Sequence, residues 1–208
     1  MTEQEFNEKL QKAKIEFEKV LNQKEDNSKP FANYIAAKNV NNTIYISGQL
    51  PRDLLNNNDI ITGKASDNNE IFDAKYAAAM CAMQVLLALS PYVIEQRIAL
   101  RGGCTPHTEI NINLSKIKSC NQLQVFVNST PEFTNQHLVA NGASDLICEY
   151  IEKAYKETGL QCQDSVLQSV LQSGLQYYKE IAQHTRCAVG VATLPLGALV
   201  EVGAIFTV

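Results

Sequence analysis

The C-terminal run Arg186–Val208 carries only two charges, Arg186 and Glu201. Around Glu201 the final apolar run alternates Val200, Val202, Ala204 and Phe206 on one face with Leu199, Glu201, Gly203 and Ile205 on the other. Whichever face is buried, the carboxylate has apolar neighbours, which is costly unless it is paired or hydrogen-bonded. Arg186 is the obvious partner, although the register of a hairpin does not by itself bring the two opposite. Two readings stand. One is a structural ion pair; the other is a site where the planar guanidinium fork grips a substrate carboxylate while the glutamate handles a water.

Other residues are weaker candidates. Ser47-Gly48-Gln49 closes an apolar run, but no G-x-S-x-G elbow surrounds Ser47, which reads as a solvent-face strand residue. Gly48 marks a close approach of backbone to a ligand. Tyr34 is either core or the wall of a site. His107 and His137 read as surface residues, whereas His184, two positions before Arg186, is a candidate for lining a site. Asn141-Gly142-Ala143-Ser144-Asp145 sets weak helix formers inside a helical pattern, the mark of a packing or ligand constraint. The six cysteines (Cys81, Cys104, Cys120, Cys148, Cys162 and Cys187) have neither CxxC nor Cys/His ligand spacing. They read as buried small hydrophobes and free thiols of a reducing cytoplasm, with no metal site.

A chain of 208 residues, 45% apolar and 19% charged, has enough material for one domain with a proper core. A net charge of −4 argues against nucleic acid as a general partner, while one arginine suffices for a small anion. The apolar stretch Ala74–Leu89 is interrupted by Lys75 and Gln84 and reads as too short to span a membrane. Met1–Glu5 is acidic and lacks the apolar core of a leader. The expectation is a cytoplasmic protein without a membrane segment.

The elements that must position these residues follow from periodicity. Phe6, Leu10, Ala13, Phe17 and Val20 predict an amphipathic helix over 3–21, with Thr2 and Glu5 at capping-box spacing. A polar linker, Lys24–Lys29, leads to β-runs at Tyr34–Ala37 and Thr43–Gln49 around an Asn41-Asn42 turn. Ser66 or Asp67 caps a small-residue helix through Leu89. Residues 94–115 read as an irregular insertion. Leu123–Ser129 is a strand, 135–155 a helix, and Val166–Tyr178 a further amphipathic helix in a second insertion. Two apolar runs, Cys187–Thr193 and Leu199–Thr207, close the chain. This order predicts an α+β domain with helices on one face of a mixed or antiparallel sheet.

Several segments, taken in order, resemble the YjgF/RidA superfamily, also called L-PSP endoribonuclease-like. They are Asn33-Tyr34-Ile35, Ile44–Pro51, Val125–Ser129 with Pro131-Glu132-Phe133, Val139–Leu146, Arg186–Val191, Leu194–Gly197 and Val200-Glu201-Val202. They cover about two-thirds of the chain, skip 94–115 and 155–183, and are similar to a longer-chain subgroup with an N-terminal helix. The resemblance implies one chorismate-mutase-like domain over 1–208, with residues 1–29 as helix and linker. It also implies a homotrimer with clefts between subunits and cofactor-free hydrolysis of 2-imino acids or enamines to 2-keto acids and ammonia.

By position, Arg186 would bind the carboxylate and Glu201 would position water. Tyr34, Ser47, Gly48, Asn141 and Ala188 would line the cleft. The sequence departs from the family pattern at three places. His184-Thr185 replaces a small residue and Pro, Ala188 replaces the cysteine common in the deaminases, and Gly203 replaces a second glutamate. These departures bear on substrate range. Two other readings accompany the deaminase: an endoribonuclease, and a non-enzymatic ligand-binding or chaperone-like trimer.

Overall fold

The computed structural model describes residues 1–21, 32–67, 71–101, 105–160 and 179–208. Thr2 and Glu5 clasp each other at the start: the Thr2 amide donates to Glu5 Oε2 (2.7 Å) and the Glu5 amide to Thr2 Oγ1 (3.2 Å). This reciprocal cap opens helix α1, Glu3–Leu21. Its apolar stripe buries Phe6, Ala13 and Phe17, and Phe17 meets the Tyr150 ring edge-on at 5.2 Å. The linker that follows lies outside the described residues.

Strands β1 (Ala37–Val40) and β2 (Thr43–Gln49) form a hairpin. Asn41 and Asn42 have φ of +52° and +64°, the left-handed pair whose twist suits a two-residue hairpin turn. That turn pairs Val40 with Thr43 and Ala37 with Ile46. The first strand therefore lies at 37–40, not at the expected 34–37, because the turn fixes the register and β2 bulges beyond Ile46. A second, short hairpin, β3 (Arg52–Asp53) and β4 (Asp59–Ile60), carries the Asn-rich loop. Buried Asp53 accepts from the Tyr76 hydroxyl (2.9 Å) and from Lys9 (3.2 Å), tying this hairpin to α1 and to the next helix.

That helix, α2 (Ile71–Leu89), is buried along nearly its whole length. It begins beyond Ser66 and Asp67, and Pro91 sits in the single 3₁₀ turn that ends it. The span 71–92 is, by length and composition, apolar enough to cross a membrane, contrary to the sequence expectation, but 78% of the most apolar part is buried inside the fold. The described residues of the expected irregular insertion 94–115 are largely regular: β5 (Ile94–Arg101) and β6 (Thr105–Ile112) pair antiparallel as a sheet of their own.

Strand β7 (Ser119–Asn128) begins four residues earlier than expected, and helix α3 (Gln136–Leu160) runs longer. The weak helix formers 141–145 do not break α3. At Gly142 an added Cβ would stand 2.0 Å from the Lys75 carbonyl oxygen, so glycine permits the close crossing of α2 and α3. The expected helix over 166–178 lies outside the described residues.

The chain ends with β8 (Thr185–Val191) and β9 (Val200–Thr207), which are not neighbours. The sheet order is β1-β2-β9-β7-β8, antiparallel except for β7 and β8, which α3 connects in parallel. Burial explains the placement. In β9, Val200, Val202, Ala204 and Phe206 are buried and suit a central strand, whereas Thr185, Arg186 and Gly190 of β8 are exposed and suit an edge. Helices α2 and α3 pack on one face of the sheet, against Leu123, Val125, Val127 and their neighbours.

Candidate functional site

The sheet register decides where each candidate residue stands. Arg186 pairs with Leu123, a fully buried residue of the helix-covered face, so Arg186 shares that face at the edge of the sheet. Glu201 pairs with Phe126, whose neighbours Val125 and Val127 point into the core, so Glu201 stands on the opposite, open face. Strand β7 lies between them. Within one copy Arg186 and Glu201 cannot form the ion pair considered from the sequence.

Around Glu201 the β2 bulge brings Ser47 and Gly48 alongside β9. A Cβ on Gly48 would lie 1.8 Å from Glu201 Oε1, so the missing side chain makes room for the carboxylate. Ser47 is no nucleophile here: its hydroxyl donates to the Ile35 carbonyl (2.7 Å) and tethers the segment bearing Tyr34. Tyr34 is 44% exposed, which removes the core alternative. Glu201 is half-buried and has no hydrogen-bond or ion-pair partner among the described residues; burial raises its proton affinity above that of an ordinary glutamate. Phe126 stands beside it on the open face, with exposed Val189 on the far side of Phe126 and exposed Tyr45 further along, opposite Ile205.

Arg186 is held from below by α3. Its Nη1 donates to Asn141 Oδ1 (2.9 Å) and Ser144 Oγ (2.9 Å), and its Nη2 to the His137 carbonyl (3.1 Å). Three of its five N–H groups are thereby used, and two have no partner among the described residues. Ala188 follows two residues on along the same face, packed against the core. His184 donates or accepts at both ring nitrogens, contacting the Ala182 carbonyl (3.0 Å) and Ser144 Oγ (2.9 Å). Burial, with Arg186 nearby, makes it harder to protonate than an ordinary histidine.

The candidates thus form two groups, Tyr34, Ser47, Gly48 and Glu201 on one side, and Arg186, Asn141 and Ala188 on the other. Sequence reasoning missed Ser144, which belongs with the second group; its signal was the run of weak helix formers. Cys81 and Cys120 are buried as expected, but Cys187 is exposed because it sits on an edge strand. A cavity of about 520 Å³ at the far end of β8, lined by Lys64, Ser129, Gln136 and Gly190 among others, contains none of the candidate residues.

Sheet order and helix placement define the class: this is the mixed α+β fold of the YjgF/L-PSP-like, chorismate-mutase-like proteins. A solved structure of Atu1372 from Agrobacterium tumefaciens, a protein of unknown function, superposes with a TM-score of 0.57 at 28% identity, covering 98% of this chain and 97% of that one. A Shewanella oneidensis MR-1 protein described as an endoribonuclease candidate has the same fold, with a TM-score of 0.57 at 15% identity, covering 86% and 88%. No protein-family model matches the sequence. Protein TCP17 of Trypanosoma cruzi is 33% identical over 179 residues, 85% of this chain and 81% of TCP17. The chain belongs to the same family as TCP17.

Proposed function

We propose that this protein, as a longer-chain member of the superfamily, hydrolyses reactive 2-imino acids or their enamine tautomers to 2-keto acids and ammonia, in clefts between the subunits of a homotrimer. One observation carries the reading. A guanidinium with two N–H groups to spare and a carboxylate of raised proton affinity, neither partnered further among the described residues, stand on opposite faces of one sheet. A single copy cannot close a site around both, whereas a second copy laid on the open face can bring its own edge arginine to Glu201.

The chemistry suits these groups. Arg186 fixes the substrate carboxylate through its remaining N–H groups. Water adds to the C=N carbon while one of its protons passes by way of Glu201 to the nitrogen. The C–N bond then breaks as C=O forms, the hydroxyl proton follows the same route, and the nitrogen leaves as ammonia with both protons of the water. An activated imine carbon needs orientation and a polarised water more than a strong nucleophile, and a carboxylate of raised proton affinity is the better base near neutrality. RNA cleavage, which the description of the Shewanella protein would suggest, finds no support in a chain of net charge −4.

The test is ammonia release from imines generated in situ by an amino-acid oxidase, with and without the protein, alongside light scattering. Accelerated release from a particle of three 23.0 kDa chains is expected. Acceleration by a monomer would overturn the shared cleft, and no acceleration by a trimer would overturn the deaminase reading.

A further inference from the structure

The departure at His184 has a consequence on the α3 side of the sheet. The Ala182 carbonyl, 3.0 Å from His184 Nδ1, can only accept, so Nδ1 carries the hydrogen of the neutral ring. Nε2 is then a bare lone pair 2.9 Å from Ser144 Oγ, and the hydroxyl hydrogen must bridge to it. With its hydrogen turned toward His184, Ser144 presents its oxygen lone pairs to Arg186 Nη1 at 2.9 Å. The result is a one-way chain, Arg186 to Ser144 to His184 to the Ala182 carbonyl, in which each bond polarises the next.

We propose that Ser144 and His184 are positioning residues for Arg186, and that a proton on His184 undoes the carboxylate-binding pose of its guanidinium. Protonated His184 becomes a donor at Nε2. Ser144 can then no longer donate to it, and one hydroxyl oxygen is left between two cations. Among the described residues the charged group facing His184 is Arg186 itself. Helix α3, packed against it, presents Ser144 and the Cys148 thiol, which burial pushes up to about 11 and so keeps neutral. Asp145, beside Ser144, is directed to Lys75 of α2 at 3.6 Å. Among the described residues no carboxylate pairs with His184. The sign follows: the fold holds His184 neutral, and the pose is lost as pH falls through its depressed value.

This inference rests on the reading of Arg186 as a carboxylate binder, and the experiment separates the two. Pyruvate, which stays ionised throughout, is titrated into the full-length protein above and below the histidine range, using wild type, Ser144→Ala and His184→Gln. Gln offers a neutral acceptor near the place of Nε2 and cannot titrate. Wild type should bind roughly tenfold to a hundredfold more weakly at the acid end, the worth of one hydrogen bond to a charged group. His184→Gln should bind alike at both, and Ser144→Ala weakly at both; Ala is the better helix former, so loss of folding is not the cause. Equal pH dependence in wild type and His184→Gln overturns the proposal. If pyruvate fails to bind wild type at all, the carboxylate reading fails. The positioning is then read in ligand-free protein by nitrogen NMR: an Nδ1-protonated His184 whose protonation exposes the Arg186 N–H groups to exchange supports it, and an Nε2-protonated ring overturns it.

Discussion

Gly48 and Glu201 share one volume: a methyl group on Gly48 would stand 1.8 Å from Glu201 Oε1 and 3.1 Å from its Cγ. The obstructing atoms belong to the far end of a flexible, half-buried side chain. Gly48→Ala should therefore leave the melting temperature within a few degrees of wild type while swinging the carboxylate away. If the carboxylate positions water, a displacement of about 1 Å costs on the order of 100-fold in imine turnover. Thermal denaturation and ammonia release on one preparation check this, and normal turnover would mean that the position of Glu201 is immaterial.

Arg186→Lys keeps the charge and loses the fork. Three hydrogen bonds to α3 go, but Arg186 is exposed, so stability should fall by no more than about 1 kcal/mol. A lysine ammonium is a point charge that cannot hold α3 and a carboxylate in one plane. Carboxylate affinity should fall roughly tenfold or more, measured by calorimetric titration with pyruvate. Unchanged affinity would make Arg186 a structural clasp for α3.

What could be read from the sequence had local causes. The capping box, the Asn41-Asn42 turn and the apolar stripe of α1 depend on residues a few positions apart, and all three are present. What could not be read depended on pairing at long range. Nothing in the composition of Cys187–Thr193 says that it pairs with Gln124 and its neighbours rather than with the following strand. The intervening β7, which separates Arg186 from Glu201, could therefore not be read from the two terminal runs. The pairing of β5 with β6 was hidden by Pro106 and the asparagines, which break the alternation of a strand in the sequence. Ser144 was hidden because a serine within a helix gives no sign of the strand it faces.

Gly142→Ala sets two effects against each other. Alanine favours a helix interior over glycine by about 1 kcal/mol. Against this, the new Cβ would lie 2.0 Å from the Lys75 carbonyl oxygen and 2.9 Å from its carbon, both backbone atoms of a buried helix. Backbone cannot rotate aside as a side chain can, so α2 and α3 must move apart, and overpacking of this kind costs about 1–3 kcal/mol. The steric cost should win. Urea denaturation should show a lower midpoint with an unchanged slope, and a more stable variant would contradict the close crossing.

Glu201→Gln separates catalysis from structure because Glu201 has no partner to lose among the described residues. Burial raises its proton affinity, so the folded protein holds that proton more tightly than the unfolded chain does. The stabilisation that goes with the bound proton is fully present below the ordinary glutamate range and disappears as pH rises through the raised value. At neutral pH wild type therefore bears a desolvated charge that Gln lacks, in nearly the same shape. The variant should melt at or slightly above the wild-type temperature near neutrality, with the gap closing toward acid. Imine turnover should nevertheless collapse, since an amide cannot take a proton from water. Melting curves across pH, with ammonia release from the same samples, test both halves. A variant that melts well below wild type at neutral pH would reveal a cation paired with Glu201, and the carboxylate would then be holding the fold together rather than handling water.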